Sequence, residues 1–172
     1  MSATAATPAT PATPAIDSFD LAILAILQQD NTTPQRVIAQ AVHLSAPAVQ
    51  RRIQRLKDSG VIRANVAVLD PVKVGKPLTI VLEVHLENER PDRTAPLRAR
   101  ISAEDAVQQC YGVTGEADYL LVVNVASMED YEALTRRLFE GDDNIKRFRT
   151  SVALASLKTG LRVPLDHALP VA

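Results

Sequence analysis

Aromatic and sulfur-bearing residues are scarce in this chain: no tryptophan, three tyrosines, three phenylalanines, two methionines and one cysteine among 172 residues. A single thiol, Cys110, cannot form an internal disulfide, so no covalent staple holds the fold, and a reducing cytoplasm is the expected compartment. No run of about 18 apolar residues is present, which argues against a membrane-spanning helix and a membrane partner. No Cys/His spacing suits a metal, and no phosphate-cradling loop of the P-loop or dinucleotide type occurs. The three histidines, His43, His85 and His167, are far apart, and Cys110 has no evident base beside it. No catalytic residue, cofactor or metal ligand is therefore expected, and catalysis is disfavoured.

A surplus of charge is also missing, since the net charge is −1. Its distribution is uneven. Residues 1–76 hold eight Lys/Arg against five Asp and no Glu, whereas residues 77–172 hold eleven Lys/Arg against fifteen acids, so the two halves should meet different partners. What is abundant is apolar surface: 47% of residues are hydrophobic and 23% charged, the balance of a globular chain of one ordinary or two small domains. The opening "MSATAATPATPATPA" (1–15) has neither a basic start nor an apolar core. That argues against a secretory signal and for a disordered, polyproline-leaning tail.

Asp17 precedes an apolar-periodic stretch with Asp20 three residues on, a capping-box spacing that opens a helix over about Ser18–Gln29. Thr33 as N-cap and Pro34 at the first helical position predict a second helix to Val42. Ser45 should cap a third from Ala46 to Asp58, ended by Gly60. "VIRANVAVLD" (61–70) is rich in β-branched residues and spaced as a hairpin, so residues 16–69 are expected to form a winged helix-turn-helix domain. Residues 70–77, ending in "PVKVGKP", read as a linker.

From residue 78 to 172 the pattern changes to β-α-β-β-α-β, the order of a ferredoxin-like sandwich, giving an α+β chain. The expected strands are 78–86, 107–114, 119–125 and a long one from Ile145 to about Lys158. Helices are expected over about Asp92–Ser102 and from Ser127 to about Phe139. Leu78, Ile80, Leu82, Val84 and Leu86, with Phe148, Val152 and Leu154, should pack beneath the helices. The open face would carry Glu83, His85, Arg147, Arg149 and Ser151 with Val81, Ala153 and Leu157, either a dimer surface or a solvated one.

"LSAPAVQRRIQRL" (44–56) concentrates three arginines on one helix. At 100° per residue Val49, Ile53 and Leu56 fall in a narrow sector with Arg52 at its flank, while Pro47, Gln50, Arg51, Gln54 and Arg55 lie opposite. Arg and Gln carry the forked donors and acceptors that match guanine, adenine and phosphate. Ser45, Pro47, Gln50, Arg51, Gln54 and Arg55 are thus the candidate contacts to double-stranded DNA. Arg52, at the edge of a buried face, needs an acidic partner, and Asp20 is the nearest by architecture. The alternative is that all three arginines are solvated surface charge. RNA binding through the sheet is disfavoured because the strands lack an aromatic pair to stack bases.

Four segments in order, "IDSFDLAILAILQQDNTTP", "LSAPAVQRRIQRLKDSGVI" with "AVLDPVKVG", "VTGEADYLLVV" and "RFRTSVALASLKTGLRVPL", resemble the Lrp/AsnC, or feast/famine, family of transcriptional regulators. The resemblance implies a winged DNA-binding domain hinged to a ligand-binding domain that dimerises through its sheet, builds assemblies that are commonly octamers, and senses amino acids or related metabolites. The loop matching "GEAD" would help form the effector site. There Asp118 could accept from an ammonium group and backbone N–H groups around Gly115 could hold a carboxylate, with Tyr111, Thr114, Thr150 and Ser151 as further candidates. The competing readings are a plain tight hairpin at this loop, and an architectural DNA-binding protein that oligomerises without an effector.

Overall fold

The computed structural model describes residues 16–165, so the tail expected at 1–15, and His167, lie outside the described residues. Two compact units result, one of residues 16–67 joined by 160–165, the other of residues 68–159. Within the 78–172 span expected for the second domain, residues 160–165 cluster with the first unit, and the Gln28 side chain bonds both the C=O and the N–H of Val163, at 3.1 and 2.7 Å.

The first unit is three helices: α1 (Ser18–Leu27), α2 (Gln35–Ala41) and α3 (Ala46–Asp58). The α1 capping box forms as the spacing predicts, with Asp17 accepting from the Asp20 N–H at 2.9 Å and Asp20 from the Asp17 N–H at 3.1 Å. At α2 the expected cap is shifted: Pro34, not Thr33, holds the N-cap position, and the Thr33 hydroxyl donates instead to the Asp30 carbonyl. The turn into α3 uses His43 at φ 54°, with Leu44 N–H on Ala39 C=O and His43 N–H on Gln40 C=O, a Schellman closure made without glycine. Ser45 then accepts from the Ala48 N–H, and Gly60 at φ 75° terminates α3. Ile23, Ile38, Ala39, Val42, Val49 and Ile53 form the shared core.

No strand forms over residues 61–70. An isolated two-stranded hairpin is marginal in water unless its apolar face is covered. Here Val66, Val68 and Leu69 are exposed, so the wing expected from the sequence is a segment without regular secondary structure.

The second unit contains β1 (Leu78–Leu86), α4 (Pro91–Ala103), β2 (Val107–Gly112), β3 (Tyr119–Val125), α5 (Met128–Phe139) and β4 (Ile145–Val152). The sheet is antiparallel in the order β2-β3-β1-β4. Ile80, Leu82, Val84, Leu121, Val123, Leu97, Leu134 and Leu138 interleave between sheet and helices as its core. Phe148 joins that side by stacking on Phe139 at 4.9 Å, and Ser127 caps α5 through the Asp130 N–H. β4 stops at Val152 rather than near Lys158, because Ala153 makes the last bond to β1, at Thr79, and no strand among the described residues pairs with 154–158. Leu154, expected under the helices, is 99% exposed, and Leu157 likewise lies off the sheet.

Two ion pairs lock α4 to the α5 end of this unit, Glu104 with Arg137 and Asp142 with Arg100. The Arg137 guanidinium bonded to Glu104 holds that carboxyl below its ordinary value. At Asp142 burial, the largest single influence, works upward, but Arg100 and the Asn144 N–H outweigh it and the carboxyl is again lowered. Both groups bind protons more tightly unfolded, so their stabilisation is present above the unfolded values of 4.5 and 3.8 and is lost as pH falls through the lower folded ones. Acid titration of thermal stability should therefore show a limb below about pH 4.5 that Arg137→Gln flattens. An unchanged limb in that variant would remove the Glu104 contribution.

Candidate DNA-binding face and effector loop

Anchored by Val49, Ile53 and Leu56, α3 presents Pro47, Gln50, Arg51 and Gln54 as exposed residues on its outer side. Arg51 has no ion-pair partner among the described residues. Gln54 is held by Asp58 at 2.7 Å, one helical turn on. Ser45 is the cap of this helix. Leu44, Ala48, Arg51, Arg52 and Arg55 line one open depression of about 340 Å³, a cationic groove wide enough for a phosphate.

Arg52 reaches Asp20 at 2.9 Å, the pairing the helical geometry predicts, and also Asp17 at 2.7 Å. Those two carboxylates hold its guanidinium charged above the ordinary range against the opposing effect of burial. The Phe19 ring lies 5.4 Å from the same guanidinium. One expectation is corrected: Arg55, assigned to the outer side alone, bonds the other oxygen of Asp20. Arg52 and Arg55 lie three residues apart, hence about 60° around the helix, and a long side chain spans that angle. Asp20 itself is fully buried, so its charge is balanced entirely by these arginines and the Asp17 N–H. Arg55 remains half exposed, with donors left over for a phosphate.

In the second unit the loop 113–118 closes β2 onto β3, and three consecutive β1 residues stitch it down. The Asp118 N–H donates to the Val84 carbonyl at 2.9 Å, the Leu86 N–H donates to Asp118 at 2.7 Å, and His85 Nδ1 lies 2.7 Å from the Glu116 carbonyl. Asp118 thus has a structural duty that the sequence did not reveal. Gly115 adopts φ 130°, open only to glycine at low cost. The N–H groups of Thr114, Gly115, Glu116 and Ala117 have no acceptor among the described residues.

A recess of about 220 Å³ beside the loop is lined by Leu86, Glu89, Thr94, Val113, Asp118 and Tyr119. Its charged groups are both carboxylates, so it suits an ammonium end. Tyr111 lies on the open sheet face, its hydroxyl donating to Gln109 at 3.0 Å. Thr150 does not join the loop: it faces the helices and bonds the Tyr131 hydroxyl. Ser151 faces the opposite side, level with Val81. The loop candidates Thr114, Gly115 and Asp118 come together, whereas the two β4 candidates do not join them. A second recess, about 340 Å³ at the other end of the sandwich, is crossed by the mutually satisfied Glu104–Arg137 pair. Burial, against a weaker pull from Arg98, pushes the Cys110 thiol up, the reverse of an activated nucleophile.

Residues 16–57 match the AsnC-type helix-turn-helix domain, and residues 79–163 match the Lrp/AsnC ligand binding domain. The chain belongs to the Lrp/AsnC family. Among its Lrp/AsnC relatives, an HTH-type transcriptional regulator of Sinorhizobium fredii is 39% identical over 140 residues, covering 81% of this chain and 83% of the relative. The crystal structure of an AsnC family transcriptional regulator from Agrobacterium tumefaciens matches with a TM-score of 0.82 at 33% identity, covering 89% of this chain and 99% of that one. A Neisseria meningitidis transcriptional regulator solved as an L-Met complex matches with a TM-score of 0.80 at 26% identity, covering 90% and 100%. These relatives are described as transcriptional regulators. No helix among the described residues is long and apolar enough to cross a membrane.

Proposed function

We propose that this chain is a sequence-specific DNA-binding regulator that inserts α3 into the major groove, and that a free amino acid or related metabolite at the 113–118 loop sets its affinity or assembly. The observation that carries the DNA reading is the outer side of α3, where exposed Gln50 and unpaired Arg51 stand on a helix fixed from behind by three buried residues. Arg51→Ala should weaken binding to an operator fragment with no loss of thermal stability. If its contact is to phosphate, the slope of log affinity against log salt falls by about one. Unchanged affinity at every salt concentration would remove Arg51 from the interface.

The effector reading rests on the acidic recess at Asp118 beside four free loop N–H groups, a pairing that complements ammonium and carboxylate together. The Neisseria relative was solved with L-Met, which supports an amino acid as the ligand class here. Calorimetry against the twenty amino acids should find at least one that binds, and Asp118→Asn should weaken it at least about tenfold. Asparagine keeps an acceptor for Leu86 and removes only the charge, so the loop stays closed. If no amino acid binds, and none alters DNA affinity or assembly, the effector-free architectural reading replaces this one.

Self-association through the open sheet face completes the proposal, giving a homodimer that builds higher assemblies. Val81, Leu120 and Val122 run across the centre of that face, half-buried and flanked by Tyr111 and Ser151.

A further inference from the structure

His85 is the one buried titratable group of the second unit that neither the core nor the proposed ligand contacts account for. Its side chain is 5% exposed although it points to the open face of the sheet. A carbonyl can only accept, so the 2.7 Å contact with Glu116 fixes the proton on Nδ1. In the neutral imidazole Nε2 is then a bare lone pair, and the atom is buried without any hydrogen-bond partner. The Glu83 carboxylate lies 4.0 Å away, an acceptor facing a neutral ring nitrogen that can only accept.

The charged groups around the imidazole come from three elements. Glu83 lies two residues back on β1; Arg147 and Arg149 stand opposite on β4; Glu116 and Asp118 belong to the loop. Arg149 is 3.8 Å from Glu83 and 4.0 Å from Glu116, so one guanidinium is shared between two carboxylates. A proton on Nε2 would give Glu83 a donor from its own strand, and the shared Arg149 guanidinium could then turn fully to Glu116.

We propose that His85 is the positioning residue of the 113–118 loop, and that its protonation tightens the loop and so tunes effector binding. Asp118 secures the C-terminal end of the loop to Val84 and Leu86, and His85 makes the hydrogen bond that secures its middle, beside the longer Arg149–Glu116 ion pair. The tuning of effector affinity rests on the amino-acid reading above; the tether itself does not. Lowering pH leaves the Nδ1 contact to Glu116 in place and frees Arg149 from Glu83 for Glu116, a second hold on the loop that stiffens the strip of N–H groups offered to a ligand carboxylate.

The test uses the full chain without any ligand, reading amide hydrogen exchange at Leu86, Val113 and Asp118, whose N–H groups are bonded only while the loop is closed. Protection, corrected for the intrinsic pH dependence of exchange, should rise at least about threefold between pH 8 and pH 5.5 in wild type. His85→Asn can still donate to Glu116 but cannot titrate, so it should keep the pH 8 protection and lose the rise. His85→Leu should lose about tenfold at every pH. A wild-type pH profile surviving in His85→Asn, or full protection in His85→Leu, overturns the proposal. Should the leucine variant not fold, the asparagine profile decides alone. Failure of every amino acid to bind in calorimetry would sink the effector reading while leaving this outcome intact.

Discussion

Asp20→Ala should destabilise the helical unit by about 2–4 kcal/mol, the largest effect expected of any polar substitution in it. The carboxylate is fully buried and does three things at once. It returns the capping bond to the Asp17 N–H, accepts from Arg52 and accepts from Arg55. Alanine removes all three, leaving Arg52 on Asp17 alone and Arg55 without a partner. Because Arg52 and Arg55 are 25% and 49% exposed, water recovers part of their solvation, which keeps the cost below that of a sealed ion triad. Arg52→Ala should cost less, about 1–2 kcal/mol, since Asp20 keeps Arg55. Arg51→Ala should fall within about 0.5 kcal/mol of wild type. Thermal denaturation of the full chain followed by circular dichroism checks the order. Asp20→Ala as stable as Arg51→Ala would show that the cluster is surface charge after all.

That order of effects could be written only in part from the sequence. Asp17, Ser45 and Ser127 announce their helices because a cap is a local device, legible within three residues. The Asp20–Arg52 pair was legible because helical periodicity places Arg52 at the edge of the buried sector. Arg55 was not, since a wheel assigns angle at the backbone and says nothing of how far a guanidinium reaches back. The two misplaced strand segments, 61–70 and 153–158, share another cause. Both are rich in apolar residues and 61–70 in β-branched ones, yet pairing needs a neighbour as well as a composition, and Val68 and Leu154 stand at 80% and 99% exposure. At the loop, glycine and aspartate told of a turn and of a candidate anion, but the bond from Leu86 spans 32 residues and is invisible in any local window.

The face of β1 is where the remaining large effect is expected, and two adjacent residues separate folding from assembly. Leu82 is fully buried in a central strand, level with Leu121 on one side and Thr150 on the other, beneath the helices. Leu82→Ala removes its methyl groups and leaves a cavity that a strand held on both edges cannot collapse, so a loss of about 3–5 kcal/mol is expected. Val81 points the other way, level with Val122 and Ser151 on the open face. Val81→Glu should leave the chain's melting temperature near that of a monomer of wild-type fold, because the new carboxylate reaches solvent. It should weaken self-association by at least about tenfold in sedimentation, since burying an unpaired carboxylate between two copies costs more than one apolar contact returns. An assembly indifferent to Val81→Glu would place the interface elsewhere than the sheet. The period-two alternation of a strand is what makes the pair decisive: one peptide unit moves a substitution from the core to the docking face.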